Sequence, residues 1–137
     1  DAQHGQLTIT DCGSERVLGG RNAFGEGATV VAQYRATGKR VSVEVQFFVL
    51  GSWDGEEVQL LIDGSVCARR SFHGRGWECP ANELESLQCD FDAHRSGLIT
   101  LGIHITTDEP AHNEALAISR VRVLGALADG ALPPLCV

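Results

Sequence analysis

The chain has no methionine, four prolines and one tyrosine in 137 residues, and no apolar run near the ~20 residues that a membrane-spanning helix needs. Cations are scarce too. Eleven lysines and arginines face 18 aspartates and glutamates, leaving a net charge of -7 with the histidines neutral. DNA, RNA and anionic membranes are held by clustered Lys and Arg, so nucleic-acid partners and direct membrane insertion are excluded, whereas cation binding is admitted. Catalytic signatures are missing as well. There is no Gly-x-Ser-x-Gly elbow, no phosphate-binding P-loop, no His-Glu-x-x-His and no dinucleotide fingerprint, and the chain is read as noncatalytic. Without a methionine it carries no initiator, and no secretory leader heads it. The expectation is a processed chain or a segment of a longer protein, with other domains as neighbours.

What is present is ordinary globular material: 43% hydrophobic and 21% charged residues. The length suits one domain, residues 1–137, with its core in about 6–124 and a loop-like tail at 125–137. The periodicity is mostly that of β-strands. Val41, Val43, Val45, Phe47 and Val49 share one face of a segment at 41–50, and Ser42, Glu44 and Gln46 share the other. Further strands are predicted at 6–10, 28–34, 57–63, 65–72, 98–106 and 115–124. Asp63-Gly64 reads as a hairpin turn. The only helical signal is at 82–89, where Asn82 stands three residues before Glu85 in a capping-box pattern. Seven or more short strands predict an all-β fold, a sandwich or jelly roll with little helix.

The five cysteines form no Cys-x-x-Cys pair, and no cysteine–histidine cluster has zinc-finger spacing. An extracellular, secreted domain with two disulfides and one odd thiol is the plainer account. Cys79 and Cys89 are near in sequence and are expected to pair. Cys12 and Cys136 are expected to pair because domain termini often lie close together. That leaves Cys67 as the odd thiol.

Three stretches occur in order: "LGGRNAFGEGA" (18–28), "GSWDGEEVQLLIDG" (51–64) and "NEALAISRVRV" (113–123). Together they resemble a module of large surface and secreted proteins of ciliates, algae and other protists. Its pattern is Leu-Gly-Gly-x-Asn-x-Phe-Gly, then Ser-Trp-Asp-x-Glu leading to a Val-Asp-Gly hairpin, then Asp-Glu-Ser-Trp-Gly-Ile before the last strand. The likeness spans about residues 12–124. In the last motif Glu114 and Ile118 match, while Asn113, Ala115, Leu116 and Ala117 depart. The resemblance implies a galactose-binding-like β-sandwich, and with it adhesion, glycan contact or assembly of a surface structure.

The segment 51–57 raises a chemical question, because a turn needs far fewer acids than it holds. Asp54 and Glu56, with Asn113 and Glu114 brought alongside, would make a set of hard oxygen ligands suited to Ca2+. The competing readings are a solvated acidic turn, or pairing of a glutamate with Arg120 or Arg122. For ligand contact the candidates are Trp77, Trp53, Asp92 and His94. A tryptophan beside acids can stack on a sugar face, though a core position is the commoner fate. Asp92 and His94 stand two residues apart, on one side of a strand or in a polar loop. The expected function is a noncatalytic extracellular binding or adhesion module for a glycan or a surface protein. The rivals are a structural assembly module of a filament or coat and, third, a small hydrolase or lyase.

Overall fold

One strand organises the molecule. In the computed structural model, which describes residues 9–13, 15–20, 23–36, 40–75, 84–92, 97–111, 113–127 and 135–136, the segment Arg40–Ile62 runs as a single 23-residue strand. The sequence predicts two strands and a turn here. "GSWDGEE" is instead a bulged corner within one strand. Gly51 and Gly55 take φ of 96° and 112°, a region that side-chain-bearing residues avoid. The pairing register slips between Gly51 and Asp54 and again between Asp54 and Glu57. Each bulge bends the strand and adds twist, so its two legs enter different layers.

The elements are β1 Ile9–Cys12, β2 Glu15–Gly19, β3 Thr29–Ala36, β4 Arg40–Ile62, β5 Ser65–Arg75, β6 Glu85–Asp92, β7 Leu98–Ile105, β8 Glu114–Leu124, β9 Ala126–Leu127 and β10 Leu135–Cys136. The first leg of β4 pairs with β6 on one side and β8 on the other. The second leg pairs with β5 and β7, and β3 follows beyond β7. β2 and β1 extend the first layer beyond β8. Every described pairing is antiparallel. The result is an all-β sandwich whose single curled sheet folds over at β4.

The core lies between the two layers. Val41, Val43, Val45, Phe47 and Val49 from the first leg meet Val58 and Leu60 from the second. Ile99, Leu101, Ile103 and Ile105 add the inner face of β7. Phe72 stands edge-on to Phe47 and to Trp53, with ring centroids 5.6 and 6.2 Å away. Such edge contacts add to area burial. A smaller apolar cluster of Cys12, Val17, Phe48, Leu50, Ala115 and Ala117 is also buried, so Phe48 and Leu50 depart from the simple alternation of β4.

The hairpin at Asp63-Gly64 forms as predicted. Asp63 and Gly64 have φ of 51° and 87°, the paired positive values of a type I′ turn. Other expectations change. Residues 85–92 are strand rather than helix, because alternate residues Glu85, Leu87 and Cys89 turn inward against β4. In the tail, two short strands pair with β3. The expected Cys79–Cys89 bridge is replaced by Cys67–Cys89, with Cα atoms 6.0 Å apart. β5 and β6 both flank β4, so tertiary pairing overrides nearness in sequence, and Cys67 is no free thiol. Cys12 is disulfide-bonded. Cys79 and the side chain of Cys136 lie outside the described residues.

Candidate functional site

The corner of β4 is closed by two other segments. The backbone N–H of Ser52 donates to the Asn113 carbonyl at 2.9 Å, and Gly51 pairs with Glu114 at the start of β8. The Glu57 carbonyl accepts from Thr106 N–H at 3.0 Å, and Glu57 N–H donates to the Thr106 hydroxyl at 2.8 Å. From the other side comes the loop at 23–28. Leu116 N–H donates to the Phe24 carbonyl, and Gly27 N–H donates to the Thr107 hydroxyl. Gly25 is required there: a Cβ would stand 2.5 Å from the Glu114 carbonyl oxygen and 2.6 Å from Ala111 Cα. Thus the three motifs, far apart in sequence, converge on one seam. Glu114 sits at its centre.

Glu114 is fully buried, and both of its carboxylate oxygens lack a hydrogen-bond partner among the described residues. Its neighbours are acids. One carboxylate oxygen each from Asp54, Glu56 and Glu114 lie within 4.8 Å of one another, and so do oxygens of Asp108, Glu109 and Glu114. Burial pushes the Glu114 carboxyl up to about 7, and the charges of Glu56, Glu109, Asp108 and Asp54 push the same way. Glu56 is raised as well, first by burial. Asp54 acts on it in both senses: its N–H donates to Glu56 Oε1 at 2.7 Å, and its carboxylate repels.

An oxygen set of this kind fits a divalent cation. Ca2+ takes oxygen ligands at about 2.3–2.6 Å, so two ligands on opposite sides of one ion are at most about 5 Å apart. Each acidic triad meets that limit. The arginine alternative is not met. Arg122 reaches Glu44 at 3.7 Å instead, and Arg120 lies further along β8, opposite Gln46.

Of the four residues anticipated as ligands, Asp54, Glu56 and Glu114 come together. Asn113 stands next to them with its carbonyl committed to Ser52, whose hydroxyl also donates to it at 3.3 Å. Asp108 and Glu109 escaped the sequence reading. Their signal was the acidic pair in "TTDEP", a few positions before Glu114.

The ligand-contact candidates do not gather. Trp53 is 2% exposed, and its indole N–H donates to the Leu50 and Ala115 carbonyls at 3.0 and 3.3 Å. It is a core residue and offers no face to a sugar. Asp92 is exposed at the far end of the first leg of β4, 3.2 Å from Arg40. Trp77 and His94 lie outside the described residues. His104 is half-buried and shares a 2.6 Å hydrogen bond with Thr29.

A second feature lies on the outer face of the first layer. Ser42, Glu44 and Gln46 point away from the core, with Asp90, Gln88 and Ser86 opposite them on β6 and Leu124, Arg122 and Arg120 opposite them on β8. A groove of about 230 Å³ runs there between Ser42, Glu44, Gln88, Arg122 and Leu124.

No family model matches the chain, and no curated protein matches it. Solved structures do. A sugar-binding protein, the EclA C-terminal domain, superposes with a TM-score of 0.60 at 18% identity, over 86% of this chain and 83% of its own. A family 35 carbohydrate-binding module from an environmental isolate gives 0.58 at 17% identity, over 98% and 90%. The module Xyl-CBM35, solved in complex with a glucuronic acid containing disaccharide, gives 0.53 at 17% identity, over 90% and 85%. At these identities the likeness is one of fold: a jelly-roll β-sandwich, matched along nearly its whole length.

Proposed function

We propose that the chain is a noncatalytic, extracellular glycan-binding module whose seam at Asp54, Glu56 and Glu114 is closed by a calcium ion. The observation that carries this reading is the near full-length likeness to sugar-binding and carbohydrate-binding modules. Fold alone does not fix function, so the surface must also suit the task. The outer face of β6, β4 and β8 presents hydroxyl, amide, carboxylate and guanidinium groups, the donors and acceptors that sugar hydroxyls require. The exposed large apolar residues Ile9, Val66, Leu84, Leu98 and Leu124 are spread over five strands or their approaches, unlike the broad apolar patch of an assembly surface. Cys67, expected to be the odd thiol, is bonded to Cys89 and so offers no thiol to crosslink neighbours. A hydrolytic role for Glu114 is disfavoured because a fully buried carboxyl cannot touch a substrate. The disulfide is consistent with an oxidising, extracellular setting.

The test is an array of neutral, galactose-containing and uronic acid-containing glycans, probed with the folded protein in calcium and again in EDTA. Saturable binding to at least one glycan class, weakened tenfold or more by Arg122→Ala, is the expected result. A folded protein that retains no glycan in either buffer sinks the reading.

A further inference from the structure

Glu114 belongs to two acidic triads at once, and the two triads are not one. Asp54, Glu56 and Glu114 offer oxygens within 4.8 Å of one another, and Asp108, Glu109 and Glu114 do so separately. A single calcium ion holds its ligands within about 5 Å of each other, twice its bond length. No set of all five carboxylates falls within 4.8 Å, and two overlapping sets suit two shells better than one. They describe two shells that share one carboxylate. Resting on the calcium reading above, we infer that the seam holds two divalent cations bridged by the Glu114 carboxylate, the second cation being bound by Asp108 and Glu109.

Three further observations support the second ion. Both oxygens of Glu114 are buried and without a partner among the described residues, so each is available to a different ion. The charge balance agrees. Five carboxylates carry -5 when ionised, one divalent cation leaves -3 in a confined corner, and two leave -1. The backbone is also suited to it. Asp108 and Glu109 sit on the loop whose base is fixed to the β4 corner through Thr106 and to the 23–28 loop through Thr107, so the second triad is tethered at its root. Asp108 is exposed and Glu109 half-buried, so the second ion has access to solvent and can complete its shell with water.

The experiment is calcium content by equilibrium dialysis at saturating calcium and pH 7.5, with terbium titration as a second readout. The wild-type chain should bind two ions. The pair Asp54→Asn with Glu56→Gln should reduce the count to one, and so should the pair Asp108→Asn with Glu109→Gln. Glu114→Gln should weaken both ions by tenfold or more, while the exposed Asp92→Asn should keep two. One ion in the wild type, retained when Asp108 and Glu109 are neutralised, overturns the second site and leaves the first. No ion in the wild type overturns both. Two ions indifferent to either double substitution would place them elsewhere and also overturn the inference. The double substitutions fall on exposed or half-exposed side chains, so they remain informative even if the Glu114 variant fails to fold.

Discussion

Most domains lose stability as acid protonates their paired carboxylates; the calcium-free form of this one should gain it. The perturbation is pH, in EDTA, between 8 and 5.5. The Glu114 carboxyl titrates near 4.5 in the unfolded chain and about 7 in the folded one. The folded state therefore binds the extra proton between those values. The stabilisation from a protonated Glu114 is complete below about 4.5 and is lost as pH rises through 7. By linkage the penalty of keeping this site is about 1 kcal/mol at pH 5.5 and about 3 kcal/mol at pH 8. The difference, about 2 kcal/mol, corresponds to a fall in Tm of roughly 5–10 °C for a domain of this size as pH is raised. Glu56 is raised too and acts in the same direction.

Two controls locate the effect. Saturating calcium binds the ionised carboxylates and should abolish or reverse the slope, because binding to the folded state alone adds RT ln(1 + [L]/Kd), about 2.7 kcal/mol at a hundredfold excess. Glu114→Gln removes the titration. It should flatten the slope in EDTA and leave the variant about 1–2 kcal/mol more stable than wild type at pH 8, the gain being limited by the buried amide. Thermal melts followed by circular dichroism read all of this. A wild-type Tm in EDTA that stays flat or rises from pH 5.5 to 8 would refute the reasoning, as would a Glu114→Gln variant with the same slope.

Nonreducing peptide mapping should recover Cys67 joined to Cys89, and Cys67→Ser with Cys89→Ser should cost about 3 kcal/mol for the opened loop, read by denaturant unfolding; recovery of both as free thiols would contradict the pairing. Trp53→Phe keeps an aromatic edge against Phe72 but withdraws the indole N–H from Leu50 and Ala115, for a loss of about 1–3 kcal/mol with glycan binding unchanged; impaired binding in a stably folded variant would put Trp53 at the ligand. Arg70→Ala should destabilise by about 1–3 kcal/mol, since Arg70 holds the buried Glu85 at 2.8 Å and lies 4.9 Å over the Phe72 ring, and urea midpoints within error of wild type would dismiss both contacts.

Strand faces were legible in the sequence wherever one side of a strand is wet. Val41 to Phe47 alternates cleanly, because its inner residues meet the core while Ser42, Glu44 and Gln46 face outward, and Ile99 to Ile105 does the same except at the buried Gly102. The Asp63-Gly64 turn was equally plain, since few residue pairs accept two positive φ values. The corner at 51–57 was not. Two glycines and three acids look like a turn locally, and only the flanking strands, β5, β7 and β8, reveal that β4 continues through it. β6 was misread for a related reason. Asn82 and Glu85 suggest a helix start, but inward burial of Glu85, Leu87 and Cys89 against β4 outweighs that local preference. The Cys67–Cys89 bridge follows from the same placement of β5 and β6 about β4, which sequence spacing does not encode. The acidic site was half legible. Asp54, Glu56 and Glu114 were suggested by motif order, while Asp108 and Glu109 carry no periodicity and come into play only through the hydrogen bonds of Thr106 and Thr107.

Among the described residues two glutamates are buried, and they are treated differently. Glu85, 6% exposed, meets Arg70 at 2.8 Å, so its charge is answered from within the chain. Glu114, wholly buried, meets four more carboxylates and no cation among the described residues. The second arrangement is not explained by packing. A glutamine or leucine at the head of β8 would fill the same space without the desolvation cost, and a lone acid would suffice for a solvated turn. Nor is it a local accident, because Gly25, Gly51 and Gly55 are each shaped to bring their segments to this point: Gly25 by close approach, Gly51 and Gly55 by positive φ. Three segments thus converge to assemble a charge that the fold by itself opposes. A seam of this kind is stable when a cation supplies the missing positive charge, and it loosens when the cation leaves. The same residues that weaken the isolated chain at neutral pH would then make its folding dependent on calcium, which is abundant outside cells.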